Sequence, residues 1–381
     1  MLKQAASLAT RLAIRALHGD GQVLRSLHEV GSVLCVELSR MGDIVAVLPV
    51  LESLKRELPQ TELEVVVDRE YLTLFQFVPC VDKVHGVVKG LPHLGLIRAL
   101  TRLRRKTYGL VCSMSPSYRN GFVAAAARAK ARIGYFESND SLTPFLASAV
   151  VEAHGIETTQ RKVYDRENLY RRSAKLCELL GIEVVTQLPR FHVSEVAIAN
   201  HRESLLAHSL PIENRFVVFH PFGGWQYRWW SLEAAKIFLD GLIDDGIPIV
   251  IIGSVEEKAA GASLRSACKN ASLVHGAFGL PIDQVVVLLK MASAFVGTDS
   301  GPLHLATAVD VPTVGLYGPA HPKFTAPNTD LNVYLYHEVE CSPCDQRKCV
   351  RPSNPCMYLI KPSEVLQRVR ELLRNVDGKK Q

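Results

Sequence analysis

The 381-residue sequence predicts an α/β protein of two doubly wound, parallel-sheet domains facing across a cleft. Three observations carry that expectation. The length calls for two cores at roughly 150 residues per domain. The composition, 48% apolar and 22% charged, is that of a globular chain and excludes disorder. The alternation of strand-like and helix-like runs begins at residue 32 and begins again after about residue 190.

The first strand runs from Ser32 to Leu38, followed by Ser39 to Asp43 and an apolar helical run from Ile44 to Leu58. Further strands are predicted at 63–67, 84–88 and 109–113, with helical stretches between them. In the second half Phe216 to His220 reads as a strand, 231–245 as an amphipathic helix, Pro248 to Ile252 as a strand and 255–268 as a helix. A helix at 282–292, a strand at Ala294 to Val296, a helix at 302–309 and a strand at Thr313 to Leu316 complete the pattern. The resulting division is an N-terminal helix and linker (1–31), a first domain (32–190), a connector (191–214), a second domain (215–361) and a terminal helix and tail (362–381) that can pack on either domain.

Charge is unevenly divided. Residues 1–190 carry 26 basic and 19 acidic side chains, whereas residues 191–381 carry 18 and 19. The first half therefore suits an anionic partner. Residues 2–18 form a basic amphipathic pattern, with Lys3, Arg11, Arg15 and His18 opposite Leu2, Leu8, Leu12 and Leu17, which fits either an anionic membrane surface or the protein's own body. No apolar run reaches the roughly 18 residues of a membrane span. Five of the nine cysteines (Cys35, Cys80, Cys112, Cys177, Cys268) stand singly, as reduced core thiols do, so a cytoplasmic protein with at most a peripheral membrane contact is expected.

The chemistry-bearing segments follow strands. Thr298-Asp299-Ser300-Gly301-Pro302-Leu303-His304 reads as a strand end, a cap and a helix start with Pro302 at N1. Amides of Ser300, Gly301 and Leu303 would there meet a phosphate, and His304 a phosphate oxygen or sugar hydroxyl. The plainer alternative is a simple cap followed by a core histidine. His220 to Ser231 contains Gly223, Gly224, three tryptophans and Arg228, a residue suited to clamping a diphosphate, although Trp230 also reads as core. Ile252 to Glu257 places two acids, Glu256 and Glu257, just past a strand, where a carboxylate, Glu256 in the first place, either accepts from ribose hydroxyls or simply starts a helix. In the first half Asp43 follows Arg40-Met41-Gly42 at a strand end, where it either serves as a general base or caps its helix. A Gly-x-Gly-x-x-Gly turn and an Asp-x-Asp pair are both absent, which disfavours hydride transfer and metal-assisted sugar transfer.

Arg40-x-Gly42-Asp43 with Leu48-Pro49, Asp299-Ser300-Gly301-Pro302-Leu303-His304, and Gly315-Leu316-Tyr317-Gly318-Pro319 together resemble the heptosyltransferases of glycosyltransferase family nine, over about residues 33–365. The resemblance implies two Rossmann-like domains in the GT-B architecture, with the acceptor in the first and a nucleotide-sugar donor, ADP-heptose, in the second. It implies transfer to the inner core of lipopolysaccharide, an anionic glycolipid, by an inverting reaction that needs no catalytic cofactor and no nucleic acid; the alternatives are a transferase of the same fold with another nucleotide sugar or a capsule, glycolipid or protein acceptor, and a catalytically silent nucleotide-sugar binding protein. Asp43 matches the family's base, Asp299 to His304 its diphosphate loop, and Arg228 the place of a lysine that precedes a His/Arg-Trp-Pro sequence, with Trp229 and Ser231 replacing the first and last of those neighbours. Arg40, Gly42, Ser117 and Arg119 fall to the acceptor side. Cys341, Cys344, Cys349 and Cys356, spaced by two, four and six residues, form either a structural Zn²⁺ or iron site or a set of free thiols.

Overall fold

The computed structural model describes residues 30–88, 101–137, 149–153, 156–157, 162–163, 168–184, 188–327, 329–344, 348–353 and 355–378. The amphipathic stretch expected at 2–18 lies outside them. The chain divides into two compact units, Met1–Pro189 and Arg190–Gln381.

In the first unit, β1 (Ser32–Glu37) is buried along its whole length, as a strand covered on both faces must be. The helical run expected from Ile44 to Leu58 is two helices, α1 (Met41–Ala46) and α2 (Leu48–Glu57). Pro49, in the first turn of α2, has no N–H to continue α1, so the chain breaks at Val47, whose carbonyl accepts from Val50 and Leu51. β2 (Glu62–Asp68), β3 (Lys83–Val87), β4 (Tyr108–Ser113), α3 (Tyr118–Ala126), β5 (Ala129–Glu137), β6 (Ala149–Ala153), a short antiparallel pair β7 (Ile156–Glu157) and β8 (Lys162–Val163), and α4 (Leu169–Leu179) follow. The six-stranded sheet has the order β3-β2-β1-β4-β5-β6, with every pairing parallel. Leu34, Val36, Val66, Tyr108, Val111 and Val123 fill a core on one of its faces.

The second unit repeats the plan. Helix α5 (Glu195–Ala207) occupies the stretch read as a connector, capped by the Ser194 hydroxyl, which accepts from Ala197 N–H at 3.2 Å. Then come β9 (Val217–His220), α6 (Leu232–Asp244), β10 (Ile249–Gly253), α7 (Lys258–Ala267), β11 (Val274–Phe278), α8 (Ile282–Met291), β12 (Ala294–Thr298), α9 (Gly301–Ala308), β13 (Thr313–Tyr317), α10 (Pro322–Thr325), β14 (Asn332–Tyr336) and α11 (Pro362–Gly378). The sheet order is β11-β10-β9-β12-β13-β14, again all parallel. Terminal helix α11 packs on this unit, placing Val365, Val369 and Leu373 in the core with Phe219, Trp230 and Phe238. A Cβ at Gly241 of α6 would lie 2.5 Å from the Leu366 side chain, so glycine there lets the two helices approach. In both units the order reverses between the first and fourth strands, leaving a crevice at their carboxyl ends.

One buried charge is held away from those ends. Glu64 of β2 is bonded by His85 Nε2 at 2.5 Å and Tyr108 Oη at 2.9 Å, and Lys106 Nζ lies 2.5 Å away. Burial by itself would raise the Glu64 carboxyl, but these three partners outweigh it and hold it at about 2. Because the folded value lies below the ordinary carboxylate value, the stabilisation is complete above pH 4.5 and is lost as pH falls through about 2, amounting to roughly 3 kcal/mol. Denaturant melts across pH 6 to 2.5 should therefore show a shallower acid loss for Glu64→Gln than for the wild type. Equal slopes would remove Glu64 from the acid response.

Candidate functional site

Each unit gathers its polar side chains at the carboxyl ends of the strands flanking the reversal. In the first unit β1 ends at Glu37, and the chain turns through Ser39 and Arg40 into α1. Asp43 sits at the third position of α1. Its Oδ2 accepts from the Arg40 N–H at 3.3 Å, and its Oδ1 accepts from Arg172 Nη2 of α4 at 3.1 Å. The carboxylate does cap its helix, and it also carries a long-range ion pair. Glu37 is wholly buried, accepting from Ser39 N–H at 2.9 Å and Asn120 Nδ2 at 3.3 Å and bonding the Ser115 hydroxyl. Burial raises its carboxyl above the usual range, and the nearby charge of Asp43 adds to that.

The residues assigned to the acceptor gather around this turn. Arg40 is the exposed N-cap of α1, and Gly42 is its second residue. Ser117 is the N-cap of α3. Arg119 Nη1 donates to the Leu38 carbonyl at 3.5 Å, and its Nη2 lies 3.6 Å from Asp68 Oδ2 at the end of β2. The carboxyl ends of β1, β2 and β4 thus carry alternating acids and bases, with Asp43 a quarter exposed.

In the second unit the loops after β9 and β12 meet. Arg228, in a single 3₁₀ turn after Gly223 and Gly224, donates from Nη1 to the Asp299 carbonyl at 2.7 Å, with Nη2 3.7 Å from the Asp299 carboxylate. Two motifs 71 residues apart are joined by that contact. Thr298 bonds its hydroxyl to the Phe222 carbonyl, and Trp229 Nε1 donates to the Gly223 carbonyl at 2.9 Å, so the glycine turn is tied down on both sides. Trp230 is core, as its sequence position allowed, with Nε1 donating to Ile360.

Helix α9 begins differently from the expectation in two respects. Its N-cap is Ser300 and its first residue Gly301, which puts Pro302 at N2 and not N1. The Leu303 N–H is taken by the Ser300 carbonyl at 3.1 Å, so that amide is not offered to a phosphate. The Ser300 hydroxyl makes no cap bond; it lies 3.1 Å from both His220 Nδ1 and the Thr298 carbonyl. Asp299 and His304 are both buried, Asp299 accepting from the Thr325 hydroxyl at 3.1 Å.

The acid beside this loop is Glu257 and not Glu256. Glu257 folds back so that Oε2 accepts from Ser254 N–H at 2.7 Å and lies 3.7 Å from His220 Nε2. Burial alone would raise its carboxyl, but His220 and Ser254 bring it below the usual value. Glu256 points to solvent. Both acids follow β10 directly, and only the turn geometry chooses between them.

All nine cysteines are free thiols. Among the described residues no group of three or more His, Cys, Asp or Glu side chains is poised to hold a metal ion, Cys341, Cys344, Cys349 and Cys356 included. Burial pushes the Cys356 thiol up to about 11, and the nearby Cys344, Cys341 and Cys349 push the same way.

Sequence reasoning missed Arg172, Glu37 and Asn120, and of the two acids after β10 it favoured Glu256 over Glu257. Arg172 carried one faint signal, a cation in the first turn of a helix, where the dipole opposes it.

Comparison with known proteins places these features in a family. The family model described as Glycosyltransferase family 9 (heptosyltransferase) matches residues 96–354. A Lipooligosaccharide heptosyltransferase 2 of Campylobacter jejuni is 37% identical over 88 residues, only 23% of this chain and 28% of the relative. A Lipopolysaccharide heptosyltransferase 1 of Pseudomonas aeruginosa is 22% identical over 327 residues, 83% of this chain and 87% of the relative. The fold matches the structure of the Escherichia coli ADP-heptose lps heptosyltransferase II with a TM-score of 0.73, at 21% identity, covering 91% of this chain and 99% of that one. With two six-stranded parallel sheets of the same order and a family match over most of its length, the chain belongs to glycosyltransferase family 9.

Proposed function

We propose that this glycosyltransferase moves a heptose or closely related sugar from ADP-heptose to the inner core of lipopolysaccharide, by an inverting reaction without a catalytic metal. The observation that carries the reading is the contact of Arg228 with Asp299 at the start of α9. It sets a guanidinium beside a helix N-terminus whose cap hydroxyl is turned elsewhere, the combination that binds a diphosphate. The names of the relatives supply the substrate class: lipopolysaccharide for the acceptor and ADP-heptose for the donor.

Asp43 Oδ takes the proton from the acceptor hydroxyl as its oxygen attacks the anomeric carbon. The bond from that carbon to the diphosphate oxygen breaks on the opposite face, so the configuration inverts and ADP departs. The charge growing on the leaving diphosphate is met by Arg228 and by the amides of Ser300 and Gly301, donors already in place before the reaction. Gly223 and Gly224 give the diphosphate close access to the backbone, and Glu257 presents a carboxylate where ribose hydroxyls donate. With a fixed cation at the leaving group, no divalent ion is required there. On the acceptor side, Arg40, Ser117 and Arg119 meet the acidic sugars of the core. Exposed Arg102, Arg104 and Arg105 favour a peripheral contact with the anionic leaflet that carries it.

Asp43→Asn should lower turnover by roughly two to four orders of magnitude while leaving ADP affinity unchanged; normal turnover in that variant removes Asp43 from the reaction. Arg228→Ala should weaken ADP binding in calorimetry and slow transfer as well, since the guanidinium contacts the diphosphate before and during bond cleavage. Unchanged affinity and rate would place the diphosphate elsewhere. Excess EDTA should leave transfer from ADP-heptose intact, and activity that returns only with added Mg²⁺ would overturn the metal-free mechanism.

A further inference from the structure

A carboxylate that accepts a proton in the transition state has to present one oxygen in a fixed direction, and the terminal torsion of an aspartate is intrinsically broad. Asp43 has two contacts that can fix it. The Arg40 N–H to Oδ2 is long, at 3.3 Å; the Arg172 guanidinium to Oδ1 is shorter, at 3.1 Å, and charged. We propose that Arg172 is the positioning residue of the base, holding the Asp43 carboxylate in its working orientation without itself touching the substrate.

Its surroundings support that role. Arg172 lies in the first turn of α4, where the N-cap Asn168 accepts from Tyr170 N–H and the positive end of the helix dipole disfavours a cation. A cation in that position is favoured by a tertiary partner, and Asp43, 129 residues earlier, supplies one. α4 is fixed against α1 by Leu169 and Tyr170 packing on Ala46, so the guanidinium arrives from a rigid neighbour. The pair is mostly shielded, with 15% and 24% of the two side chains exposed, so solvent weakens it less than a surface pair. Among the described residues, the charged groups facing Asp43 are Arg172 from α4 and buried Glu37 from β1, whose carboxyl burial raises and the Asp43 charge raises further, while Arg40 contributes its backbone N–H. Glu37 and Asp43 repel one another, and Arg172 offsets that repulsion at the atom that needs it.

The inference rests on Asp43 being the base, and the test separates the two claims. Full-length wild type, Asp43→Asn, Arg172→Gln, Arg172→Lys and the double variant Asp43→Asn/Arg172→Gln are assayed with ADP-heptose and delipidated lipopolysaccharide core, with melting temperature and ADP affinity as controls. Arg172→Gln should lower kcat about 10- to 100-fold with the donor KM within about threefold of wild type. Arg172→Lys should recover part of the loss, and Arg172→Gln should slow Asp43→Asn no further, because the two act as one unit. If Arg172→Gln melts below the assay temperature, Arg172→Lys carries the comparison, with kcat lowered at unchanged KM expected and wild-type kcat overturning the proposal. If Asp43→Asn is slow but Arg172→Gln keeps the wild-type kcat, or slows Asp43→Asn by the same factor as wild type, the positioning role falls alone. If wild type transfers nothing or Asp43→Asn is as fast as wild type, the base assignment falls and the positioning role with it.

Discussion

Burying a parallel sheet on both faces is the constraint from which the rest of this protein follows. Once helices cover β1, β2, β4, β9, β10 and β12, their side chains must be apolar, and charge is driven to the strand ends. At the carboxyl ends each strand hands over to a loop or a helix start, so backbone N–H groups and the positive ends of helix dipoles collect there. Groups that accept hydrogen bonds at that edge meet donors supplied by the fold itself. Both units obey this with the same strand order, yet their chemistry differs. The first unit fills the edge with its own acids, Glu37, Asp43 and Asp68, whereas the second turns the Ser300 cap hydroxyl aside and leaves a helix start facing an arginine.

The buried acids show how far this edge departs from ordinary core economy. A carboxylate without partners in a protein interior costs several kcal/mol. Glu37 offsets that cost with three donors, yet its proton is still held more tightly than usual. Glu64, at the other end of the sheet, has cations as well as hydroxyl and imidazole donors and moves in the opposite direction. The same residue type, equally hidden from solvent, thus shifts in opposite directions: burial, reinforced by the Asp43 charge, prevails at Glu37, whereas His85, Lys106 and Tyr108 outweigh it at Glu64. The first arrangement couples a buried acid to the candidate base; the second serves stability alone.

How much of this could be read from the sequence depended on how local each feature is. The continuous apolar runs of β1, β9, β10 and β12 announced central strands, and Asp43 and Asp299–His304 stood out because a strand, a small residue and a helix start are adjacent in the chain. Edge and outer strands were harder to read. β11 (Val-His-Gly-Ala-Phe) and β5, interrupted by Lys130 and Arg132, lack the apolar continuity of a strand buried on both faces. Pairings were invisible for another reason: Arg172 with Asp43 and Arg228 with Asp299 are tertiary, 129 and 71 residues apart. Two details turned on finer geometry. Whether Glu256 or Glu257 turns inward depends on one reverse turn, and whether the Leu303 amide is available depends on the first turn of α9 tightening onto Ser300.

The departures from the family's pattern around Arg228 become intelligible on the same terms. Where the resemblance calls for a lysine, an arginine supplies two separate nitrogens. Nη1 can hold the Asp299 carbonyl at 2.7 Å while Nη2 reaches toward its carboxylate, a division that a single ammonium point charge could not make with the same planar geometry. Trp229 replaces a basic or imidazole neighbour and spends its indole N–H on the Gly223 carbonyl, stiffening the glycine turn from behind. Ser231 stands where a proline would start the next helix. Its hydroxyl accepts from Ala234 N–H at 3.3 Å, so a side-chain cap begins α6 in place of a fixed φ. The three changes fall in one loop: the turn is held by an indole, the helix by a hydroxyl, and the cation is fastened to the opposing loop.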